Sequence, residues 1–461
     1  MCESLSSIDA VIERTPLWRP EWRKTLLRMR EHPDAPRWNT QVGDRITAGD
    51  GEFVREFGAG LDKERGWGPG GVPERVVRWV LERRGRVGWF RKALEGLDPA
   101  RDFERIPTMS RADLQQELED IIPVDEPLDR LIINPTSGTT GHPIAAPNHP
   151  RAIGCYDPLI QYCLKRHGVR QSYDHTAIAA VQVCFQRSTI VYNTVHSLLG
   201  GAGFAKVNLD PAAWPGDGSA ARYISDMAPV FISGDPIALG EMARLGVAHR
   251  PRAFLSCALA LPPELRSELQ GSYGCPVVDL YSLNETGPIA FSRPGDPGIF
   301  QILPNDIFVE IVDERGNSLP DGQAGEICVT GGRNPYLPLL RYRTGDRGSM
   351  VHDHDKTDDP APLLKLIDAR KPVVFRAPSG GLVNPIDISR IIRQYPVARH
   401  QCVQRRDLSL LVRLECADLG TFGEGLAREL GGLFGDGARV ELERSDFEGG
   451  GAPAAFIAEG A

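Results

Sequence analysis

The stretch Ile133-Asn-Pro-Thr-Ser-Gly-Thr-Thr-Gly-His142 continues a short apolar run, residues 131–133, with small and hydroxylated residues. Glycine lets the chain turn tightly, which brings backbone N–H groups close to an anion. Serine and threonine hydroxyls add further hydrogen-bond donors. An apolar run that leads into such a loop predicts a strand followed by a phosphate-binding turn. The loop lacks the G-x-x-x-x-G-K-[ST] pattern, so it does not predict a P-loop kinase or GTPase.

The composition restricts the class of protein. The chain has 461 residues, which favours two or more domains, and its formal net charge of −8 comes without a prominent basic tract. Nucleic acid and anionic membranes are therefore not expected partners. No apolar run is long enough to span a membrane, and the N-terminus does not resemble a signal peptide. The nine cysteines form no C-x-x-C pair, which is typical of reduced thiols in a cytoplasmic protein.

The middle of the chain predicts an α/β fold. Short apolar runs alternate there with helical stretches, which is typical of mainly parallel sheets covered by helices; the runs are residues 176–183, 230–233, 253–257 and 277–281. Helices are also predicted over residues 73–94 and 150–166. Ser110 is expected to cap a further helix, with Asp113 completing a capping box.

A change of pattern follows. From Ile307 the chain predicts a β-rich subdomain with hairpin turns, and the last ~90 residues predict a small α+β unit. We therefore expect a large N-terminal domain, residues 1–369, that binds nucleotide and substrate. A small mobile C-terminal domain, residues 372–461, would rotate about a hinge at Arg370–Lys371.

Two further segments carry candidate ligand-binding groups. Asp279-Leu-Tyr-Ser-Leu-Asn-Glu-Thr-Gly287 ends a predicted strand, and ligands of open α/β sheets bind outside the carboxyl ends of strands. Tyr281 can lie against a planar base there, and Glu285 can hold Mg²⁺ on phosphates. In Leu340-Arg-Tyr-Arg-Thr-Gly-Asp346, Asp346 can accept both hydroxyls of a ribose. Taken separately, a core tyrosine, a solvated glutamate and an ion-paired aspartate explain these residues as well.

Together the segments resemble a known family. The Ser-Gly-Thr-Thr-Gly loop, the Tyr-Ser-Leu-Asn-Glu-Thr element, the Tyr-Arg-Thr-Gly-Asp element and Gly380-Gly-Leu-Val-Asn-Pro385 resemble, in this order, the adenylate-forming (acyl-CoA synthetase and ligase) superfamily. Ile106-Pro-Thr-Met-Ser-Arg-Ala-Asp-Leu114 is similar to the phenylacetate-CoA ligase-like branch. The resemblance covers about residues 106–389 plainly and the C-terminal unit more weakly.

This resemblance implies an ATP site and assigns roles to its residues. The implied nucleotide contacts are Ser137, Gly138, Thr139, Thr140, Gly141, Ala258, Tyr281, Thr286, Asp346 and Arg370. The loop from Ser137 to Gly141 would hold the β- and γ-phosphates, and Tyr281 would pack near adenine. Thr140, Glu285 and Arg370 would be catalytic, with Glu285 holding Mg²⁺ through ATP.

The family also implies a substrate pocket and a reaction. The acid would bind beside a strand–helix segment, here residues 183–192, and Phe185, Tyr192 and His196 are our candidate pocket residues, although core roles explain them equally well. The implied reaction activates an aryl or acyl carboxylate with ATP and Mg²⁺ as an acyl-AMP and transfers it to a thiol such as CoA.

Two departures from the family keep alternatives open. The phosphate loop continues as Gly-His-Pro instead of Gly-Lys-Pro, and no lysine follows Lys371, although relatives usually carry a catalytic lysine in the last domain. Arg439, Arg444 or His142 would replace its charge only in part. One alternative is activation of another oxyanion, such as nitrite, with transfer to an aromatic amine, as in diazotase-like enzymes. A second is a non-catalytic nucleotide-binding homologue.

Overall fold

The computed structural model describes residues 8–63, 71–135, 145–304, 306–351, 362–367, 371–447 and 455–459. Its helices are α1 Ile8–Glu13, α2 Arg23–Arg30, α3 Ala48–Leu61, α4 Glu74–Arg84, α5 Gly88–Ala93, α6 Arg111–Gln116, α7 Leu118–Ile121, α8 Pro150–Gly154, α9 Tyr156–Arg166, α10 Ser219–Met227, α11 Pro236–Arg244, α12 Pro263–Tyr273, α13 Pro385–Ile392 and α14 Gly423–Phe434. Single 3-10 turns occur at Pro20–Trp22, Phe103–Arg105, Ser197–Leu199 and Pro211–Ala213.

The strands are β1 Ile132–Pro135, β2 Ala145–Asn148, β3 Ile178–Cys184, β4 Tyr192–His196, β5 Ala202–Asn208, β6 Phe231–Gly234, β7 Ala253–Cys257, β8 Val277–Leu283, β9 Gly287–Arg293, β10 Asp296–Ile302, β11 Ile307–Val312, β12 Gly325–Gly331, β13 Leu339–Val351, β14 Leu363–Leu366, β15 Phe375–Arg376, β16 Leu382–Val383, β17 Arg399–Gln404, β18 Leu410–Glu415, β19 Val440–Arg444 and β20 Phe456–Ala458. None of the helices in the described ranges combines the length and the apolar character that a membrane crossing requires.

One twelve-stranded sheet dominates the fold, in the order β11-β12-β13-β14-β10-β9-β8-β7-β6-β3-β5-β4. The neighbours from β5 through β3, β6 and β7 to β8 are parallel, and the outer strands pair antiparallel. The α/β fold class is therefore confirmed. The β-rich subdomain does not form a sheet of its own, because β9 turns back on β8 and extends the parallel core directly.

Helices bury both faces of the parallel strands, which explains their nearly continuous apolar sequences. On one face Val181, Val183, Val207 and Ile232 pack against residues of α10, α11 and α12. On the other, smaller side chains such as Ala180 and Ala253 pack against residues of α3 and α9. A further core cluster joins the helices of residues 74–121 to the β-rich part of the sheet.

Residues 371–447 and 455–459 hold a separate four-stranded sheet, β19-β18-β17-β20. Its own apolar core includes Ile388, Val412 and Leu430. The division at 369/372 and the hinge at Arg370–Lys371 stay predictions, since residues 368–370 lie outside the described residues.

Two of the predicted helices are each divided into two shorter helices in the structure. The predicted helix over residues 73–94 divides into α4 and α5, because the chain tightens after Arg83, whose carbonyl accepts from both Arg86 and Val87; glycine at position 85 is also a weak helix former. The predicted helix over residues 150–166 divides at Cys155 into α8 and α9. Pro158 has no N–H to donate to the carbonyl of Gly154, so the helix cannot continue unbroken there.

The expected strand–helix segment over residues 183–192 is wrong in its second half. After β3 the chain forms a loop that leads to β4. The C-terminal unit satisfies the backbone of this loop: the Phe185 carbonyl accepts from Asn384 at 2.8 Å, and Arg187 N donates to Asp387 at 2.8 Å. Backbone groups that have these partners do not need the hydrogen bonds of a helix.

Candidate active site

Tyr281 and Asp346 meet although 65 residues separate them in sequence. The Tyr281 hydroxyl donates to Asp346 Oδ2 at 3.0 Å and lies 3.4 Å from Thr344 Oγ1. Tyr281 belongs to β8, the last parallel strand, and Asp346 belongs to β13, on the far side of β9, β10 and β14. The structure therefore brings these two predicted nucleotide contacts together at the carboxyl end of the parallel strands, where ligands of α/β sheets bind.

A bulge in β13 presents Asp346. Arg343 pairs with Cys328 and Arg347 with Glu326, so three residues of β13 lie opposite Ile327 alone. Gly345, in the middle of the three, has a φ of +80°, a left-handed conformation that glycine adopts without steric cost. The local geometry thus favours glycine at the middle of Thr-Gly-Asp, and the bulge turns the carboxylate out of the strand and towards Tyr281.

Glu285 occupies the turn between β8 and β9 and is only 6% exposed. The Tyr342 hydroxyl donates to Glu285 Oε1 at 3.3 Å, and the Arg111 guanidinium lies 3.9 Å from the same oxygen. Burial raises the pKa of Tyr342, and the charges of Glu285 and Asp346 raise it further. Glu285 follows β8, the strand that carries Tyr281, and its partner Tyr342 lies in β13 with Asp346, so the two carboxylates belong to one candidate site.

Sequence reasoning missed Arg111 and Tyr342. Arg111 begins α6, and the predicted capping box of Ser110 and Asp113 is confirmed. The segment before it adds to β13, because Met109 N donates to the Arg341 carbonyl and Met109 O accepts from Arg343 N. Both residues could have been identified from their positions, because they lie inside two motifs already singled out, Ser-Arg-Ala-Asp and Tyr-Arg-Thr-Gly-Asp.

Arg341 links the segment before α6 to β13. Its guanidinium is 1% exposed and forms two hydrogen bonds to Glu310, at 2.9 and 3.0 Å. It also donates to the carbonyls of Glu104 and Ile106, which fixes the chain leading to α6 against β13. A buried arginine is retained only when its donors are matched in this way.

Ala258 and Thr286 also lie at this edge of the sheet. Cys257 pairs with Leu280, so Ala258 comes next to Tyr281 at the ends of β7 and β8. Ala258 has a φ of +73°, which is unusual for a residue with a Cβ. Thr286 is buried, and its hydroxyl donates to the Gly287 carbonyl at 2.8 Å.

The predicted pocket residues divide between two places. Phe185 follows β3, and Tyr192 begins β4 opposite Lys206, so both lie towards the carboxyl end of the parallel strands. Burial raises the pKa of Tyr192 to about 12. His196 ends β4 opposite Ala202, towards the other edge, where its Nδ1 lies 2.9 Å from Asp157. The rings of Tyr192 and His196 both stack on Phe204, so these two predicted pocket residues share one face of the sheet, whereas Phe185 packs against the core cluster on the opposite face.

Several predicted residues lie outside the described residues. These are the phosphate-loop residues Ser137, Gly138, Thr139, Thr140 and Gly141, together with His142 and Arg370. The described strands β1 and β2, which precede and follow that loop in the sequence, pair antiparallel. Within the described ranges no three His, Cys, Asp or Glu side chains converge as metal ligands.

Comparisons with known proteins identify the family of this chain. The AMP-binding enzyme family matches residues 93–334. The chain is 24% identical over 301 residues to a phenylacetate-coenzyme A ligase of Thermus thermophilus, covering 61% of this chain and 64% of that protein. It is 26% identical over 167 residues to an oxalate–CoA ligase of Saccharomyces cerevisiae, covering 32% of this chain and 28% of that protein. The match thus spans less than two thirds of either relative.

A solved structure shows the same fold. It is a 2-hydroxyisobutyryl-CoA ligase in complex with 2-HIB-AMP and CoA in the thioesterification state, with 18% sequence identity and a TM-score of 0.57. The similarity covers 90% of this chain and 91% of that one. The predicted resemblance to the adenylate-forming superfamily, in its phenylacetate-CoA ligase-like branch, is confirmed by the family match and these relatives.

Proposed function

Because the chain belongs to the AMP-binding enzyme family, we propose that it is an ATP-dependent ligase that activates a carboxylic acid as an acyl-AMP and transfers it to the thiol of CoA. The observation that carries the proposal is the joint site of Tyr281, Asp346, Tyr342, Glu285 and Arg111. It combines two tyrosines, two carboxylates and a cation at the ligand-binding edge of the sheet.

We assign the nucleotide contacts as follows. Asp346 accepts the ribose hydroxyls, and Tyr281, which positions Asp346 through its hydroxyl, packs beside adenine with Ala258 on the neighbouring strand end. Thr286 and Glu285 lie at the α-phosphate, and Thr140 and Arg370 bind phosphate and ribose. Glu285 is the candidate Mg²⁺ ligand, since a buried carboxylate is the donor that this ion prefers. Bound Mg²⁺ would neutralise phosphate charge.

The chemistry needs alignment and charge stabilisation from the protein. A carboxylate oxygen of the acid attacks the α-phosphorus, the bond to the bridging oxygen breaks, and pyrophosphate leaves. The thiol of CoA then attacks the carbonyl carbon of the acyl-AMP, and AMP leaves. Groups that are held rigidly in a buried site stabilise the charge that develops without reorganising at the moment of reaction.

The names of the relatives do not identify the acid, because they include phenylacetate, oxalate and sulfoacetate. Activation of nitrite with transfer to an aromatic amine is the second candidate, favoured by the absence of lysine after Lys371. In the structure Arg439 is largely exposed and pairs with Asp407 at 2.8 Å, so it is not placed to replace the missing lysine. The joint site argues against a homologue without catalysis.

Pyrophosphate release tests the proposal. We would incubate the protein with ATP, Mg²⁺ and CoA and compare a panel of aromatic and short aliphatic acids with nitrite plus an aromatic amine. Acid-dependent release with acyl-CoA as product is expected. Release that responds only to nitrite would replace it with the second candidate, and no release under any condition, with ATP bound, would favour the non-catalytic homologue.

A further inference from the structure

Four polar side chains form a row across the parallel strands. The register pairs Tyr192 with Lys206, Lys206 with Gln182, and Gln182 with Ser233. Paired residues on neighbouring strands point to the same face of a sheet. The row therefore lies on one face, in line across β4, β5, β3 and β6.

The side chains of these four residues are more exposed than those of their neighbours in the sheet. All four are half-buried, whereas their chain neighbours Val181, Val183, Ala205 and Ile232 are at most 1% exposed. A sheet that is covered on both faces has no reason to place a lysine, a glutamine and a serine at one level unless space remains above them. The row is thus a polar interruption in an otherwise apolar face.

Lys206 is the positively charged residue of this row. No carboxylate in the described part of the chain lies within ion-pair distance of its ammonium. Burial raises the pKa of the Cys184 thiol, and burial raises that of Cys257 to about 12, whereas the charge of Lys206 lowers both. Cys184 lies two residues after Gln182 and so on the same face of β3, one step closer to the carboxyl end of the strand, where ligands of such sheets bind.

Distance decides which part of a substrate Lys206 can reach. Four strand spacings separate β5 from β8 in the sheet order, or roughly 19 Å at about 4.8 Å per spacing. Glu285 and Thr286 follow β8, and the reacting carboxylate must meet the α-phosphate near them. The four-carbon stem of a lysine does not span that distance. Lys206 is therefore too far away to act on the reacting carboxylate, and only a group further along the acid could reach it.

We infer that Lys206 binds a second anionic group, a carboxylate, at the far end of the acid substrate, and that the enzyme prefers dicarboxylic acids or aromatic acids with a distal carboxylate. This inference rests on the proposed function. Gln182 and Ser233 donate further hydrogen bonds to the same group, and Tyr192 forms the outer wall. An unpaired ammonium in a partly buried site is costly, and an anionic substrate supplies the missing partner.

Matched substrate pairs test the inference. We would measure pyrophosphate release for 4-carboxyphenylacetate against its neutral analogue 4-carbamoylphenylacetate, and for glutarate against glutaramate. In at least one pair the wild type should prefer the dianion by tenfold or more in kcat/KM. Lys206→Met should abolish that preference through the KM of the dianion, with the KM of ATP unchanged, and Lys206→Arg should retain most of it. Lys24→Met, at an exposed lysine of α2, is the matched control and should behave as the wild type.

The outcomes separate this inference from the proposed function. Pyrophosphate release that does not distinguish the members of either pair would overturn the role of Lys206 and leave the ligase standing. A preference that persists in Lys206→Met would also overturn it. Absence of release with every acid would overturn the proposed function, and this inference with it.

Discussion

At the scale of single residues, Asp346 is the clearest candidate contact for the nucleotide. It is half-buried, accepts from the Tyr281 hydroxyl at 3.0 Å and lies on a bulge that glycine makes possible. Its backbone N–H donates to Thr344 Oγ1 at 3.2 Å, which fixes the turn. A carboxylate held in this way is preorganised to accept the two hydroxyls of a ribose.

Replacing Asp346 should weaken ATP binding. The Asp346→Ala protein would lose a charge-assisted contact, so calorimetry should show at least a tenfold higher Kd for ATP with Mg²⁺, about 1.4 kcal/mol. Asp296→Ala, at an exposed residue of β10, serves as the control and should bind ATP as the wild type does. Equal affinity of Asp346→Ala and the wild type would remove Asp346 from the ATP site.

Asp279, two residues before Tyr281, makes stability depend on pH. Burial raises the pKa of its carboxyl to about 6, and Arg266, 3.9 Å away, only partly opposes the rise. A raised pKa means that the folded protein holds this proton more tightly than the unfolded chain. The stabilising contribution is full below the ordinary value of 3.8 and is lost as the pH rises through about 6.

We therefore expect the wild type to lose more stability than Asp279→Asn between pH 5 and pH 8, by on the order of 1 kcal/mol. Chemical denaturation at the two pH values, with Asp296→Asn as the control, measures this difference. If the free energies of unfolding of wild type and Asp279→Asn shift in parallel, the carboxyl of Asp279 is not perturbed in the folded state.

At the scale of elements, the sequence predicts those whose signal is local. The strand over residues 253–257 and the strand over residues 307–312 occur as expected, because continuous runs of apolar and β-branched residues define them. The capping box at Ser110 is likewise local. By contrast, β4 and β5 contain Lys206, Asn193 and His196, and their polar positions follow from neighbouring strands that a single sequence does not reveal. For the same reason, no local sequence pattern predicts the contact between Arg111 and Glu285.

The contact between α13 and the loop after β3 joins the C-terminal unit to the substrate side of the site. Arg390 donates to the Ser188 carbonyl and, at 2.9 Å, to Gln186 Oε1, while the Arg187 N–H donates to Asp387. The same loop begins with Phe185, a candidate pocket residue. We infer that docking of the C-terminal unit fixes the position of that side chain.

Removing this contact should slow turnover without weakening ATP binding. Hydrogen bonds to charged groups contribute roughly 1.5–3 kcal/mol, so Arg390→Ala should reduce acid-dependent pyrophosphate release about tenfold or more. The Kd for ATP should stay within about twofold, because the described nucleotide contacts lie in the large domain. Arg399→Ala, which removes an exposed pair with Glu415 in the same unit, is the control.

X-ray scattering on the same variants adds a readout of orientation. Arg390→Ala should be more extended than the wild type and than Arg399→Ala. Unchanged turnover and scattering would show that the α13 contact is not needed for the reaction.

At the scale of the whole molecule, one mixed sheet places the proposed nucleotide and substrate groups along a single edge. Tyr281, Ala258 and Glu285 come from the β7–β9 end, and Lys206 and Tyr192 come from the β4–β5 end. An acid that lies along this edge would reach from Lys206 towards the α-phosphate. The architecture thus accounts for activation of one carboxylate while the opposite end of the substrate is bound.

Oxygen labelling tests the central claim most directly. When an acid carrying ¹⁸O in both carboxyl oxygens is turned over with ATP, Mg²⁺ and CoA, its oxygen attacks the α-phosphorus and stays with the phosphate after the thiol displaces AMP. We predict AMP that contains one ¹⁸O atom for each acyl-CoA formed, as measured by mass spectrometry. Unlabelled AMP, or ADP in its place, would contradict an acyl-AMP intermediate and with it the assignment of this site to carboxylate activation.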